Sequence, residues 1–185
     1  MTRTPVSPAR SNDARIDSAL LDLMGRGEPI THDAVAEQSG VSRRTVYRRY
    51  ADQKALRLRV WELLSPPQGL NLDLRQLLDG GLAQQFQTFD SNAAAMTVTM
   101  ASAEGRAIRN QLSEARVNYY RSVFGAALAP LDEPLRTQVA AALQVLCSGL
   151  AWREMRDQWG LDGASMAAGC AFVIEAAVKA ARNPG

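Results

Sequence analysis

A single histidine and two cysteines are all that the 185-residue chain offers to a transition metal. Neither cysteine stands at a spacing that makes a zinc site or a redox pair, so no metal centre is expected. Cys147 and Cys170 lie in alanine-rich surroundings, which favours buried free thiols and a reducing, cytoplasmic setting. His32 has no histidine or cysteine nearby and is expected as an exposed residue in the first turn of a helix. Carboxylates spaced as a pair in an apolar setting are also missing, so the chain is not expected to be an enzyme or to carry a cofactor. No apolar run approaches 18 residues, and no charged segment followed by an apolar one opens the chain; a soluble protein without a membrane partner is expected. Gly25-Arg26-Gly27 follows no strand and lacks the further glycines of a nucleotide loop. Nowhere does polarity alternate with period two for long enough to make a strand.

What is present is charge in one place and helical periodicity almost everywhere. The overall +2 divides unevenly: residues 1–64 carry 11 Lys+Arg against 8 Asp+Glu, net +3, and residues 65–185 carry 10 against 11, net −1. Between Ser42 and Arg59 there are seven basic residues and one acid, Asp52, a local +6. Such a single-sign patch attracts a polyphosphate surface. Apolar residues recur at helical spacing in Ile16, Ala19, Leu20, Leu23, in Leu56, Val60, Leu63, Leu64, and in Leu135, Val139, Leu143, Leu146, Leu150. With breaks at glycines, prolines and Asp-Ser-Asn, the chain reads as all-α with about nine helices: roughly 11–24, 32–38, 43–49, 53–64, 70–88, 92–101, 105–128, 132–158 and 163–182. Residues 1–10, with Pro5, Pro8, Arg3 and Arg10, read as a flexible arm.

The densest information lies in THDAVAEQSGVSRRTVYRRY, residues 31–50. Thr31 is suited to cap a short helix with Asp33 in its first turn, and Gly40 supplies a left-handed turn residue. Val41 plugs the core beneath the turn and Ser42 caps a second helix. With Val46 facing inward, Arg43, Arg44, Tyr47 and Arg48 face outward on a surface narrow enough for a major groove. This is a helix-turn-helix.

Thr31, Val35, Ala36, Gly40, Val41, Ser42, Thr45, Val46, Tyr47 and Tyr50 together resemble the DNA-binding domain of the TetR family of bacterial transcription regulators, over about residues 12–64. The resemblance implies an N-terminal three-helix DNA-binding domain (11–64) joined by its fourth helix to a larger helical ligand-binding and dimerisation domain (65–185). It implies that Arg43 and Arg44 read base edges, and that Ser42, Thr45, Tyr47 and Arg49 hold the helix on DNA, with Arg48 in either role. Tyr50 stands where the family has a core aromatic. Where the family usually has a lysine this chain has Gln53, with Lys54 one residue on as a phosphate contact. The resemblance further implies a homodimer paired through 132–158 and 163–182, a palindromic double-stranded DNA operator, and a cavity among helices 70–128 for a small hydrophobic effector. Phe86, Phe89, Met96, Met100, Asn118, Tyr119 and Trp152 are candidates for that cavity, with Gln85 beside them. The function implied is a homodimeric repressor released by its effector through Ser65-Pro66-Pro67. Corepression, activation, ligand-independent regulation and sequence-tolerant architectural binding are the alternatives.

Overall fold

Each of the first four helices begins where a side-chain oxygen can take an otherwise unpaired backbone N–H. In the computed structural model, which describes residues 11–66, 69 and 71–182, Ser11 accepts from the Ala14 amide and Thr31 from that of Ala34. Ser42 accepts from the Thr45 amide and Asp52 from that of Ala55. The helices they start are α1 (Asn12–Gly25), α2 (His32–Ser39), α3 (Arg43–Arg49) and α4 (Gln53–Leu64). Their apolar faces meet in one place: Ile16, Leu20, Ile30, Val35, Val46, Leu56 and Val60 are completely buried. The arm expected over residues 1–10 lies outside the described residues.

The turn between α2 and α3 needs a left-handed residue, and Gly40 supplies it with φ 62°. A Cβ there would both strain the backbone and stand 2.6 Å from Arg15 Nη2. Gly40→Ala is expected to lower stability by about 1–2 kcal/mol, the cost of placing an L-residue in that region, read as a shifted midpoint in urea denaturation.

The rest of the described chain is also helical, and among the described residues there is no strand. It runs through α5 (Leu74–Gln76), a π-helical turn (Leu77–Gly81), α6 (Leu82–Ser91), α7 (Ala93–Ala101), α8 (Ala103–Gln111) and α9 (Ser113–Gly125). The chain ends in α10 (Leu135–Leu146), α11 (Gly149–Trp159) and α12 (Gly163–Arg182). The second half has Phe86, Phe124, Trp152, Met166 and Ile174 at its centre, continuous with the core of the first four helices. Helix α1 packs on α7, α4 on α8, and α12 along α6. A bidentate pair from Arg57 of α4 to Glu104 of α8, at 2.8 and 2.9 Å, joins the two halves.

Three long helices expected from periodicity are shorter or broken. The one expected over 70–88 begins at Leu74, capped by Asp73, and kinks at Gly80, whose φ of 132° interrupts it before α6. The one expected over 105–128 breaks at Leu112, where the Ser113 hydroxyl donates back to the Asn110 carbonyl. The one expected over 132–158 starts only at Leu135 and breaks at Ser148. There Ser148 Oγ donates to the Val145 carbonyl and accepts from the Leu150 and Ala151 amides, ending one helix and capping the next. The expected stripe from Leu135 to Leu150 is therefore divided, with Leu143 buried and both ends exposed.

Helix α12 is long and apolar enough, by length and composition alone, to cross a membrane, with a mean hydropathy of 1.4 in its best window. That corrects the expectation that no such stretch exists: many alanines, with Phe172, Val173 and Ile174, raise the average of a helix that Glu175 and Lys179 interrupt. Its inward residues Met166, Cys170, Ile174 and Val178 are buried in the core.

Candidate nucleic-acid interface and adjoining cavity

Helix α3 is two turns long and has one buried residue, Val46, so most of its other side chains reach the surface. Ser42, Arg43, Arg44, Tyr47, Arg48, Arg49 and the nearby Lys54 are exposed, and Thr45 is half-buried. Ser42 and Thr45 share a hydroxyl hydrogen bond at 2.9 Å. Arg43 pairs with Asp33 at 2.8 Å and Arg49 with Asp13 at 2.9 Å. Both pairs are more than half exposed, so solvent screens them and a phosphate can exchange for the carboxylate at little cost. Arg44, Arg48 and Lys54 make no ion pair among the described residues. The surface is thus cationic with its charges largely available.

His32 is not the exposed residue expected. Only 7% exposed, it lies flat against Tyr47, with ring centroids 3.9 Å apart and planes 3° from parallel. Its Nε2 is 2.8 Å from the Tyr50 carbonyl, which only accepts, so that nitrogen carries the proton. Helix α2 therefore holds both the aromatic ring in the middle of α3 and the end of that helix. The Arg43 guanidinium lies 5.5 Å from the other partner of the stack, Tyr47. A histidine in a first turn has no local sequence signal of burial; its partners come from α3 and the residue that ends it. Tyr50 packs against the core, and Gln53 spends its amide on the Ile30 carbonyl at 3.1 Å, tying α4 to the α1–α2 connection.

Behind α4 is a cavity of about 210 Å³. Trp61, Leu64, Ser65 and Pro66 bring the end of α4 to it; Gln85 and Phe89 come from α6, and Met96, Thr99 and Met100 from α7. Ile108 and Arg109 of α8, Arg116, Tyr119 and Tyr120 of α9, and Cys147 close it from the other sides. Of the expected residues, Phe89, Met96, Met100 and Tyr119 line it, as does Gln85, whose amide donates to the Cys147 carbonyl. Phe86, Asn118 and Trp152 do not. Phe86 is completely buried in the core and Asn118 is exposed on α9. Trp152 is a core residue whose Nε1 donates to Asp90 at 2.7 Å. A helical stripe contains core and cavity residues alike, and only the facing helices separate them.

Arg109 and Arg116, the charged part of the wall, were not among the expected residues. The available signal was an arginine repeated seven residues on, beside Ile108, Leu112 and Tyr119. Burial lowers both guanidinium pKa values, with Arg116, Arg106 and Arg153 adding to the effect on Arg109. Burial also raises the Tyr120 hydroxyl, and pushes the Cys147 thiol up to about 12 from 9.0, with Cys170 adding to it. The folded chain therefore keeps a proton that the unfolded chain has lost, so this contribution to stability is complete below about pH 9 and disappears as pH rises towards about 12. Cys147→Ala is expected to lose less stability than the parent between about pH 8 and about pH 10.5, measured by urea melts at each pH.

No family model, curated protein or solved structure matches this chain. Sequence and geometry together define an all-helical protein with a short cationic helix at its surface and a cavity behind the helix that joins the two halves.

Proposed function

We propose that this chain is a sequence-specific DNA-binding transcription regulator of the TetR type, acting as a homodimeric repressor that a small molecule releases from a palindromic operator. The observation that carries the reading is the outward face of α3: four arginines and a tyrosine on two helical turns, anchored by one buried valine. Arginine is the side chain that grips guanine O6 and N7 with two parallel hydrogen bonds, and Arg43 and Arg44 stand at the start of the helix, which enters the groove first. Ser42, Thr45, Tyr47, Arg48, Arg49 and Lys54 surround them as contacts to phosphate.

One helix of this length reads a few base pairs, and a two-fold pair reads a palindrome. Support for pairing comes from the last two helices. Trp159 is 78% exposed and Phe172 74% exposed, with Val173 beside it. The outward face of α12 also carries Ala168, Gly169 and Ala176, small enough for a second helix to approach closely. Release follows from the cavity's position. A ligand against Trp61, Leu64 and Ser65 touches the end of α4, and the Arg57 to Glu104 pair couples α4 to α8, which also lines the cavity. The expected coupling is about 1–3 kcal/mol.

The deciding experiment is selection of duplexes from a random pool by the purified 185-residue chain at near-physiological salt, followed by sequencing. A palindromic consensus with half-sites about one helical turn apart, or a multiple of it, is expected. Retention of duplexes without any consensus would replace this reading with architectural DNA binding.

A further inference from the structure

The cavity wall contains two arginines whose charge is not matched by any acid lining it. Arg109 of α8 and Arg116 of α9 make no ion pair among the described residues. Glu104, the acid closest to Arg109 along α8, is held by Arg57. Nε of Arg116 is buried without a hydrogen-bond partner; its guanidinium lies 5.2 Å from the Trp61 ring centroid, a contact that satisfies charge but no N–H. Arg109 Nη1 donates to the Thr99 carbonyl, while the Thr99 hydroxyl is itself buried and unpartnered. A desolvated guanidinium with unpaired donors is costly, and both arginines feel burial as a lowered pKa. Two arginines and a hydroxyl on a wall that holds polar neutral side chains but no acid are an arrangement that an oxyanion completes.

We propose that the cavity binds a small amphipathic organic acid, its carboxylate gripped by Arg109 and Arg116 and its apolar body resting on Phe89, Met96, Met100 and Ile108. The small volume favours a compact carboxylate over a bulkier phosphate ester. Because Arg116 also lies on Trp61 of α4, an anion that draws it from the ring reaches the helix joining the two halves. The inference rests on the reading of this cavity as a ligand site, and it names that ligand's chemistry.

The test is calorimetric titration of the 185-residue chain, without DNA, with matched pairs of probes: hexanoate and hexanol, octanoate and octanol, phenylacetate and phenethyl alcohol, with octyl phosphate as a further arm. The expected result is that at least one acid binds about tenfold or more tighter than its alcohol, the effect of a charge-assisted hydrogen bond. Arg116→Met abolishes that preference and leaves the alcohol unaffected, and Arg116→Lys restores part of it. If no acid exceeds its alcohol, or octyl phosphate exceeds octanoate, the proposal is overturned. The acid-to-alcohol comparison on the parent chain decides the matter even if the methionine variant does not fold. Since no DNA is present, failure here is separate from failure of the operator selection.

Discussion

Replacing Arg43 and Arg44 together by alanine is expected to weaken binding to the selected duplex by about 2–6 kcal/mol per half-site, twice the roughly 1–3 kcal/mol of one bidentate base contact. The measurement is fluorescence anisotropy at fixed salt, against the selected duplex and a scrambled one. Arg43 is exposed and its ion pair to Asp33, its only one among the described residues, is solvated, so thermal unfolding should move little. Loss confined to the selected duplex assigns the arginines to base edges. Equal loss on both duplexes, with a shallower dependence on salt, assigns them to phosphate instead. Arg44 lacks an ion pair among the described residues and is expected to contribute more than Arg43, which gives up Asp33 on binding.

Trp152→Ala carries the largest expected effect on stability, a loss of about 3–5 kcal/mol from truncating a fully buried aromatic side chain. Its ring meets Phe89 edge to face at 6.0 Å, and its Nε1 donates to Asp90 Oδ1. The other carboxylate oxygen of Asp90 accepts the Gly163 amide at 2.8 Å, so one carboxylate ties α6 to α11 and to the start of α12. Chemical denaturation measures the loss. Trp152→Phe keeps one aromatic ring but removes both the Nε1 donor to a charged acceptor, worth about 1.5–3 kcal/mol, and part of the buried ring volume, so its loss is expected to be smaller than that of the alanine variant. If the phenylalanine variant is as stable as the parent, Asp90 holds α12 without help from the indole.

The first four helices were legible from sequence nearly to the residue. Asn12–Gly25, His32–Ser39, Arg43–Arg49 and Gln53–Leu64 differ from the expected bounds by one residue at most at each end. Each is capped by Ser, Thr or Asp, and α1 and α4 carry their apolar residues at helical spacing, signals that act within one or two turns. The later helices were less legible because their interruptions use residues that are also found inside helices. Ser148 ends α10 by bonding to Val145 and starts α11 by capping Leu150 and Ala151, yet a serine in a run of alanines and leucines resembles any other. Gly80 kinks the chain inside the helix expected over 70–88, where no break was expected.

The cavity divides in the same way. Phe89, Met96, Met100 and Tyr119 were identified because large apolar side chains in the middle helices must face some interior. Separating them from Phe86 and Trp152, which fill the core, requires knowing which helix stands opposite each face. His32 was misjudged for that reason, and Arg109 and Arg116 were passed over for it.

From the chain alone came the all-helical character, the cap and turn chemistry of residues 31–50, and the concentration of positive charge on α3. All of these are properties of residues a few positions apart, where backbone hydrogen bonding and helical period leave little choice. The tertiary structure alone decided that His32 is buried under Tyr47, that Arg57 of α4 is bound to Glu104 of α8, and that Arg109 and Arg116 line a cavity without an acid. Each of those depends on which distant segments meet, and that is set by the burial of whole helix faces against one another, which no short stretch of sequence contains.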